Sequence, residues 1–288
     1  MKKFLVCATC LFCFLTSSAQ QVDSINTTPA TATKKPGIYK MKYKVDIPLT
    51  AAGVGWTLFA FTKIYGRDRV PDAEILALDP ANVNSFDRPV TMKYSEKAKS
   101  SSDLLFYGSM PAPLLLLLDK KIRKDAPKIG LLYLEAMAIT GTVYTSTAMI
   151  VNRFRPYAYN PDVPMGTRTS GGSRNSFPSG HPAVVATSTF FMAKVYSDYH
   201  PEMKNKWILY GVAGGASLAT GILRIQAGQH FITDVMTGIP LGVLSGILVP
   251  HFHKRKKFQN YTVMPYYQGG ARGFTALVKL NTGGRISN

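Results

Sequence analysis

The sequence predicts an all-α fold: a membrane helical bundle of about five to six helices, with a short C-terminal β-hairpin-like tail. Three observations carry that expectation. Six apolar runs of helical character recur along the 288 residues, at Ile47–Phe61, Leu104–Leu118, Ile129–Val151, Pro182–Val195, Trp207–Leu223 and Phe231–Pro250. The third and the sixth reach the roughly 20 residues that a bilayer span requires. Basic residues flank these runs, and 34 Lys and Arg against 16 Asp and Glu give a formal charge of +18. Gly- and Ala-rich faces, such as Gly211–Ala216, suit close contact between helices.

Residues 1–19 read as a secretory signal peptide. Lys2 and Lys3 start it, Phe4–Leu15 is its apolar run, and Ser17-Ser18-Ala19 is its cleavage site. Cys7, Cys10 and Cys13 all lie inside it, so disulfides and thiol catalysis are excluded from the mature chain. Residues 20–45 read as a Thr/Ser/Pro-rich linker and a basic juxtamembrane segment. Residues 46–102 hold the first apolar helix and a polar loop, and the stretch Gly66–Asp103 displays no legible chemistry. Residues 103–253 form the helical core. In residues 254–288 a basic cluster precedes two strand-like runs, Tyr261–Tyr267 and Phe274–Leu280, around a Gly-rich turn. The positive balance fits a lipid bilayer or an anionic substrate. No nucleic-acid motif is present, and no protein partner is predicted.

Between the third and fourth runs lies Asn175-Ser176-Phe177-Pro178-Ser179-Gly180-His181. Pro178 and Gly180 read as a turn, and the run after His181 as a helix. Ser179, Gly180 and His181 then sit at a helix N-terminus, where free N–H groups and the helix dipole attract anions. Taken alone, the stretch has a plainer reading as a Ser N-cap with a solvent-facing His. Two more clusters change its weight. Arg155-Pro156 follows the third run. Arg224 ends the fifth, and His230 and Asp234, four apart, open the sixth. If the helices alternate in direction, all three clusters share one end of the bundle. Two Arg, a Ser, a helix N-terminus, two His and an Asp suit phosphate. Guanidinium binds its oxygens bidentately, one His can attack phosphorus, and the other can protonate the leaving oxygen. No clustered carboxylates suggest a Mg²⁺ site, so the chemistry expected is metal-free.

These motifs, Arg155-Pro156, Pro178-Ser179-Gly180-His181 and Arg224 with His230 and Asp234, resemble the type 2 phosphatidic acid phosphatase superfamily. That superfamily also holds bacterial acid phosphatases and vanadium haloperoxidases. The resemblance covers roughly Asp103 to His251. It implies that His230 is a nucleophile forming a phosphohistidine, that Asp234 orients it, and that His181 is the general acid. It implies that Arg155, Arg224, Ser179 and the Gly180 N–H bind the phosphate, with Arg174 and Asn175 as helpers. Two positions depart from the family pattern. Leu223 stands where a Ser usually precedes the Arg. Ala148 stands where the family carries a Lys seven residues before its first Arg. Arg153 lies about 140° around the same helix from Ala148, which leaves Arg168 or Arg174 as candidate replacements.

The function expected is a metal-independent phosphatase acting on a lipid phosphate monoester or diphosphate, with no cofactor and with vanadate as a phosphate-mimicking inhibitor. Two alternatives stand beside it. A soluble exported acid phosphatase or vanadate-dependent haloperoxidase would suit the shorter apolar runs. A catalytically weakened lipid-phosphate binding protein would suit Ala148. The place expected is the bacterial cell envelope, as an integral membrane protein with its active site facing the periplasm. The basic stretches Asp119–Lys128, Lys194–Lys206 and His251–Lys257 fall at the other end, which the positive-inside rule makes cytoplasmic; a cleaved signal peptide followed by six spans would instead put the site inside, unless Ile47–Phe61 is interfacial or re-entrant and five spans remain.

Overall fold

A computed structural model describes residues 37–255 and the backbone of residues 261–268 and 271–278. The expected signal peptide at 1–19 lies outside the described residues. Nine α-helices are present among the described residues: α1 (Tyr43–Tyr65), α2 (Asp72–Leu76), α3 (Glu96–Ser109), α4 (Lys120–Arg123), α5 (Ala126–Val151), α6 (Met165–Arg168), α7 (Gly180–Tyr199), α8 (Lys206–Gln226) and α9 (Ile232–His253). Among the described residues, five stretches are long and apolar enough to cross a membrane: Tyr43–Tyr65, Glu96–Leu118, Ala126–Ala158, Lys206–Gln226 and Ile232–His253. Large apolar side chains on these helices, including Leu58, Leu104, Ile150, Val212, Met236 and Phe252, face outward. Only hydrocarbon makes such a surface favourable over this length. The chain is built as an integral membrane protein.

The remaining long helix, α7, is the centre of the bundle. Its sequence is small and dotted with hydroxyls, which suits burial among helices better than contact with lipid. Val185, Phe191 and Val195 are buried. Thr187 shares a hydrogen bond with Thr140 of α5 at 2.8 Å, and Ser188 with Tyr133 at 2.8 Å. Hydroxyl pairs of this kind satisfy polar atoms that lipid would leave bare. On the other side, α9 meets α7 backbone to backbone along Gly238, Gly242 and Gly246. A methyl group at position 242 would stand 2.0 Å from the Ala183 carbonyl oxygen. The close helix contact therefore lies on α9. The Gly-rich face of α8 behaves differently: side-chain positions at 211 and 215 meet nothing within 4 Å.

At one end of the bundle the basic segments gather. Lys194 and Lys254 both pair with Asp198, which also accepts the Tyr39 hydroxyl at 2.9 Å. His200 faces Asp119 at 2.9 Å, and the Tyr199 hydroxyl donates to Asp125 at 2.8 Å. The tail strands β1 (Tyr261–Gln268) and β2 (Ala271–Val278) pair antiparallel, from Tyr261 opposite Val278 to Gln268 opposite Ala271.

Candidate active site

The opposite end collects the three motifs. Helix α5 stops at Asn152, which takes a left-handed backbone conformation (φ 51°) and turns the chain into the Arg153–Pro156 segment. That segment is tied to the loop before α7: Arg155 N–H donates to Ser173 O at 2.7 Å, and Ser176 N–H to Arg153 O at 3.0 Å. Between α8 and α9 the chain turns at Gly228, whose φ of +65° favours glycine. A side chain there would also strike the Lys93 carbonyl. Ser179 N–H donates to Asp234 O at 3.0 Å, which fixes the start of α7 against the start of α9.

His230 sits in this turn, 1% exposed. Its Nδ1 donates to Ser176 O at 2.6 Å, which leaves Nε2 carrying the lone pair. Burial, with the guanidiniums of Arg155 and Arg224 nearby, holds its pKa well below the ordinary 6.5. Asp234 reaches the imidazole at one remove. Its closest approach to Nδ1 is 3.8 Å, while its Oδ2 accepts the Ser176 hydroxyl at 2.5 Å and the Phe231 N–H at 2.8 Å. The carboxylate thus positions the carbonyl-bearing residue that holds the ring.

Arg155 and Arg224 are both buried and converge on one oxygen. Gln229 Oε1 accepts from Arg155 Nη1 at 2.5 Å and from Arg224 Nη2 at 3.4 Å. Arg155 Nε is further held by Gly172 O at 3.0 Å. Arg224 Nε and the Ser179 hydroxyl are buried with no hydrogen-bond partner among the described residues. Buried donors are ordinarily satisfied, so a free nitrogen on one of the two guanidiniums and an unpartnered hydroxyl suit an anion. His181 opens α7 as expected. Its Nε2 lies 3.0 Å from Asp103 Oδ1, and that same oxygen accepts from Arg224 Nη1 at 3.1 Å.

Arg174 stands apart from this group. Its guanidinium pairs with both carboxylate oxygens of Glu74 and lies 5.2 Å over the Phe154 ring. Arg168 is buried elsewhere, with Nε on Ala158 O. Ala148 is buried in an apolar cluster with Ile64 and Tyr144. The cation nearest its backbone is Arg67, which donates to Ala148 O, Met149 O, Asn152 Oδ1 and Asn175 Oδ1 between 2.8 and 3.3 Å. With both terminal nitrogens so occupied, Arg67 caps the end of α5 and ties down the loop carrying Asn175.

The polar stretch Gly66–Asp103, without legible chemistry in the sequence, contributes to the site. Asp87 is fully buried and accepts from Thr233 N, Thr233 Oγ1, Asn84 Nδ2 and Arg153 Nη2 between 2.6 and 3.1 Å. Burial pushes its pKa up, but these hydrogen bonds outweigh that and hold it below the usual carboxylate value. Arg153 in turn donates from Nη1 to Asp234 at 2.5 Å. A continuous chain, Asp87–Arg153–Asp234–Ser176–His230, runs from the buried Asp87 to the buried imidazole.

Residues 129–258 match the family model described as PAP2 superfamily. The match covers 130 of the 288 residues, and over that segment the chain is similar to the PAP2 superfamily. Within the PAP2 segment lie Arg155, Ser179, His181, Arg224, His230 and Asp234, whereas Asp87 and Asp103 precede it. Phosphatidylglycerophosphatase B of Bacillus subtilis is 37% identical over 83 residues, 28% of this chain and 41% of that one. Lipid A 1-phosphatase of Porphyromonas gingivalis is also 37% identical over 83 residues, 28% of this chain and 17% of that one. The matched stretch thus spans less than half the length of either curated relative. Among solved structures, a transmembrane PAP2-type phosphatidylglycerolphosphate phosphatase from Bacillus subtilis aligns at 24% identity and a TM-score of 0.40. It covers 75% of this chain and 96% of that one. Aquifex aeolicus LpxE aligns at 21% identity and a TM-score of 0.39, covering 56% and 90%.

Proposed function

We propose that the protein is a metal-independent phosphatase that removes phosphate from a lipid phosphate monoester or diphosphate through a phosphohistidine at His230. The observation that carries this reading is the buried His230 with Nδ1 committed to Ser176 O, beside two guanidiniums joined on Gln229. A histidine so held offers Nε2 as a neutral nucleophile, and the arginines supply the charge that phosphoryl transfer needs. His230 Nε2 attacks phosphorus and forms the N–P bond. The P–O bond to the leaving group breaks, and His181 gives that oxygen a proton. Water then attacks the phosphohistidine, with His181 taking the proton back, and inorganic phosphate leaves. Arg155, Arg224, the Ser179 hydroxyl and the Gly180 N–H hold the phosphoryl oxygens throughout.

The donor set favours chemistry without a metal. Asp87, Asp103 and Asp234 are each already paired with an arginine, so the surroundings of the phosphate are cationic. The lipid character of the substrate is supported by the apolar outer surface and by the two curated relatives, both named for lipid phosphates. The basic residues clustered on Asp119, Asp125 and Asp198 support, by the positive-inside rule, a cytoplasmic place for the other end and so a periplasm-facing site.

The test is a phosphate-release panel with purified protein over phosphatidate, phosphatidylglycerophosphate, undecaprenyl diphosphate, lipid A and a soluble phosphomonoester. Release should persist in EDTA and stop with vanadate. His230→Ala should lose at least about a hundredfold in turnover; an unchanged rate in that variant would overturn the nucleophile assignment, and EDTA sensitivity the metal-free mechanism.

A further inference from the structure

Two residues of α3, outside the PAP2 segment, hold His181 from two directions. Asp103 Oδ1 lies 3.0 Å from His181 Nε2, within hydrogen-bond distance. Phe106 stacks on the imidazole with centroids 4.2 Å apart and planes at 30°. The two residues are three apart and share one face of the helix. The same face reaches Arg224, whose Nη1 takes Asp103 Oδ1 at 3.1 Å and Ser102 Oγ at 3.3 Å.

We infer that Asp103 and Phe106 are positioning residues that clamp His181 as the general acid, a role resting on the proton-donor reading of His181 given above. With Nε2–H donated to Asp103, the proton that moves is the one on Nδ1. It passes to the leaving-group oxygen as the P–O bond breaks and the His230 N–P bond forms, and the imidazole is left neutral. Burial lowers the His181 pKa to about 4, and the carboxylate opposes that by favouring the imidazolium; it also fixes which nitrogen faces the substrate, as an aspartate does for histidine in a catalytic triad. Phe106 sets the ring plane, so that Nδ1 does not swing away from the leaving oxygen. Arg224 gains a second function from the arrangement: it balances the charge of Asp103, which would otherwise repel the phosphate.

A clamp on a general acid predicts a dependence on the leaving group. An alkoxide needs the proton; a nitrophenolate leaves without it. The quantity to read is kcat/KM, which reports phosphoryl transfer to His230 and not the later hydrolysis. Full-length wild type, Asp103→Asn, Asp103→Glu and Phe106→Leu are compared in detergent on phosphatidate and on 4-nitrophenyl phosphate. Asp103→Asn should lose about a hundredfold on phosphatidate and at most about a tenth of that on the aryl ester. Asp103→Glu should recover part of the alkyl activity, and Phe106→Leu should show a smaller loss of the same selectivity. Equal losses on both substrates would overturn the clamp in favour of a role in phosphate binding through Arg224. No loss on phosphatidate would overturn it outright. Should Asp103→Asn fail to give a monodisperse protein, Phe106→Leu carries the test, because it keeps an apolar side chain and leaves Asp103 and Arg224 in place. A wild type inert toward both substrates would sink the phosphatase reading itself, a result distinct from a uniform loss.

Discussion

Replacing Asp87 by alanine should damage both stability and turnover, although Asp87 lies far from His230 in the chain. The side chain is fully buried and accepts four hydrogen bonds, from Thr233 N, Thr233 Oγ1, Asn84 Nδ2 and Arg153 Nη2. Truncation strands the Thr233 N–H at the start of α9, at a cost of roughly 1–2 kcal/mol for a buried donor. It also removes one of two carboxylates from Arg153. A fully buried pair broken this way costs about 3–5 kcal/mol. Arg153 is a quarter exposed and keeps Asp234, so its share is nearer 1 kcal/mol. The sum is about 2–3 kcal/mol, which for a chain of this size lowers Tm by roughly 4–12 °C. Differential scanning fluorimetry in detergent reads that shift directly. Because Arg153 would then pull Asp234 away from Ser176, kcat/KM should fall about tenfold, a loosening well short of removing a catalytic group. A variant with a Tm within about 2 °C of wild type and unchanged kcat/KM would refute the hydrogen-bonded chain as a support for His230.

Two further outcomes follow from the same geometry. Ala148→Lys, which restores the family's lysine, should not raise activity. The position is buried against Ile64 and Tyr144, so the larger side chain overpacks the cluster by about 1–3 kcal/mol; a rate increase in the phosphate-release assay would contradict this. The pH response of His230 has a definite sign. Its folded pKa lies below the ordinary 6.5, so the unfolded state takes up a proton first as the medium becomes acidic. Its contribution to stability is complete above pH 6.5 and is lost as pH falls toward the folded value, by up to about 1.4 kcal/mol per pH unit. The Tm difference between wild type and His230→Gln should therefore move in the disfavouring direction for wild type below pH 6.5, and a pH-independent difference would contradict a neutral buried imidazole.

The helices and the three motif clusters were legible in the sequence because each depends on local features: apolar runs, a Pro-Ser-Gly turn, and arginines at the ends of apolar stretches. Five of the six runs correspond to spans long and apolar enough to cross a membrane, and the fourth, Pro182–Val195, forms the central helix. Its Thr and Ser residues, which weaken it as a lipid-facing span, are the signal for that interior place. The carboxylates Asp87 and Asp103 around the site were not legible. Asp103 acquires its role by meeting residues 78 and 121 positions later in the chain. Asp87 meets Thr233, 146 positions away. No local pattern marks either residue. Gln229 lay in plain view between Arg224 and His230, but only the fold makes its oxygen the meeting point of two guanidiniums. The four-residue spacing of His230 and Asp234 does not show how the two are linked: the turn at Gly228 and the packing of Ser176 route the link through a hydroxyl and a carbonyl.

The stripe of Gly238, Gly242 and Gly246 faces the carbonyls of Ser179, Ala183 and Thr187, which repeat at the same four-residue interval. The two helices therefore mesh like a rack, and neither can slide by less than a full tooth, about 6 Å along the axis. Ser179 and Asp234 sit on the last tooth, so the spacing between phosphate donor and supporting carboxylate is set by small residues buried deeper in the bundle. A bulky substitution at Gly242 or Gly246, in contact with no substrate, should register first as an error of alignment at the catalytic end.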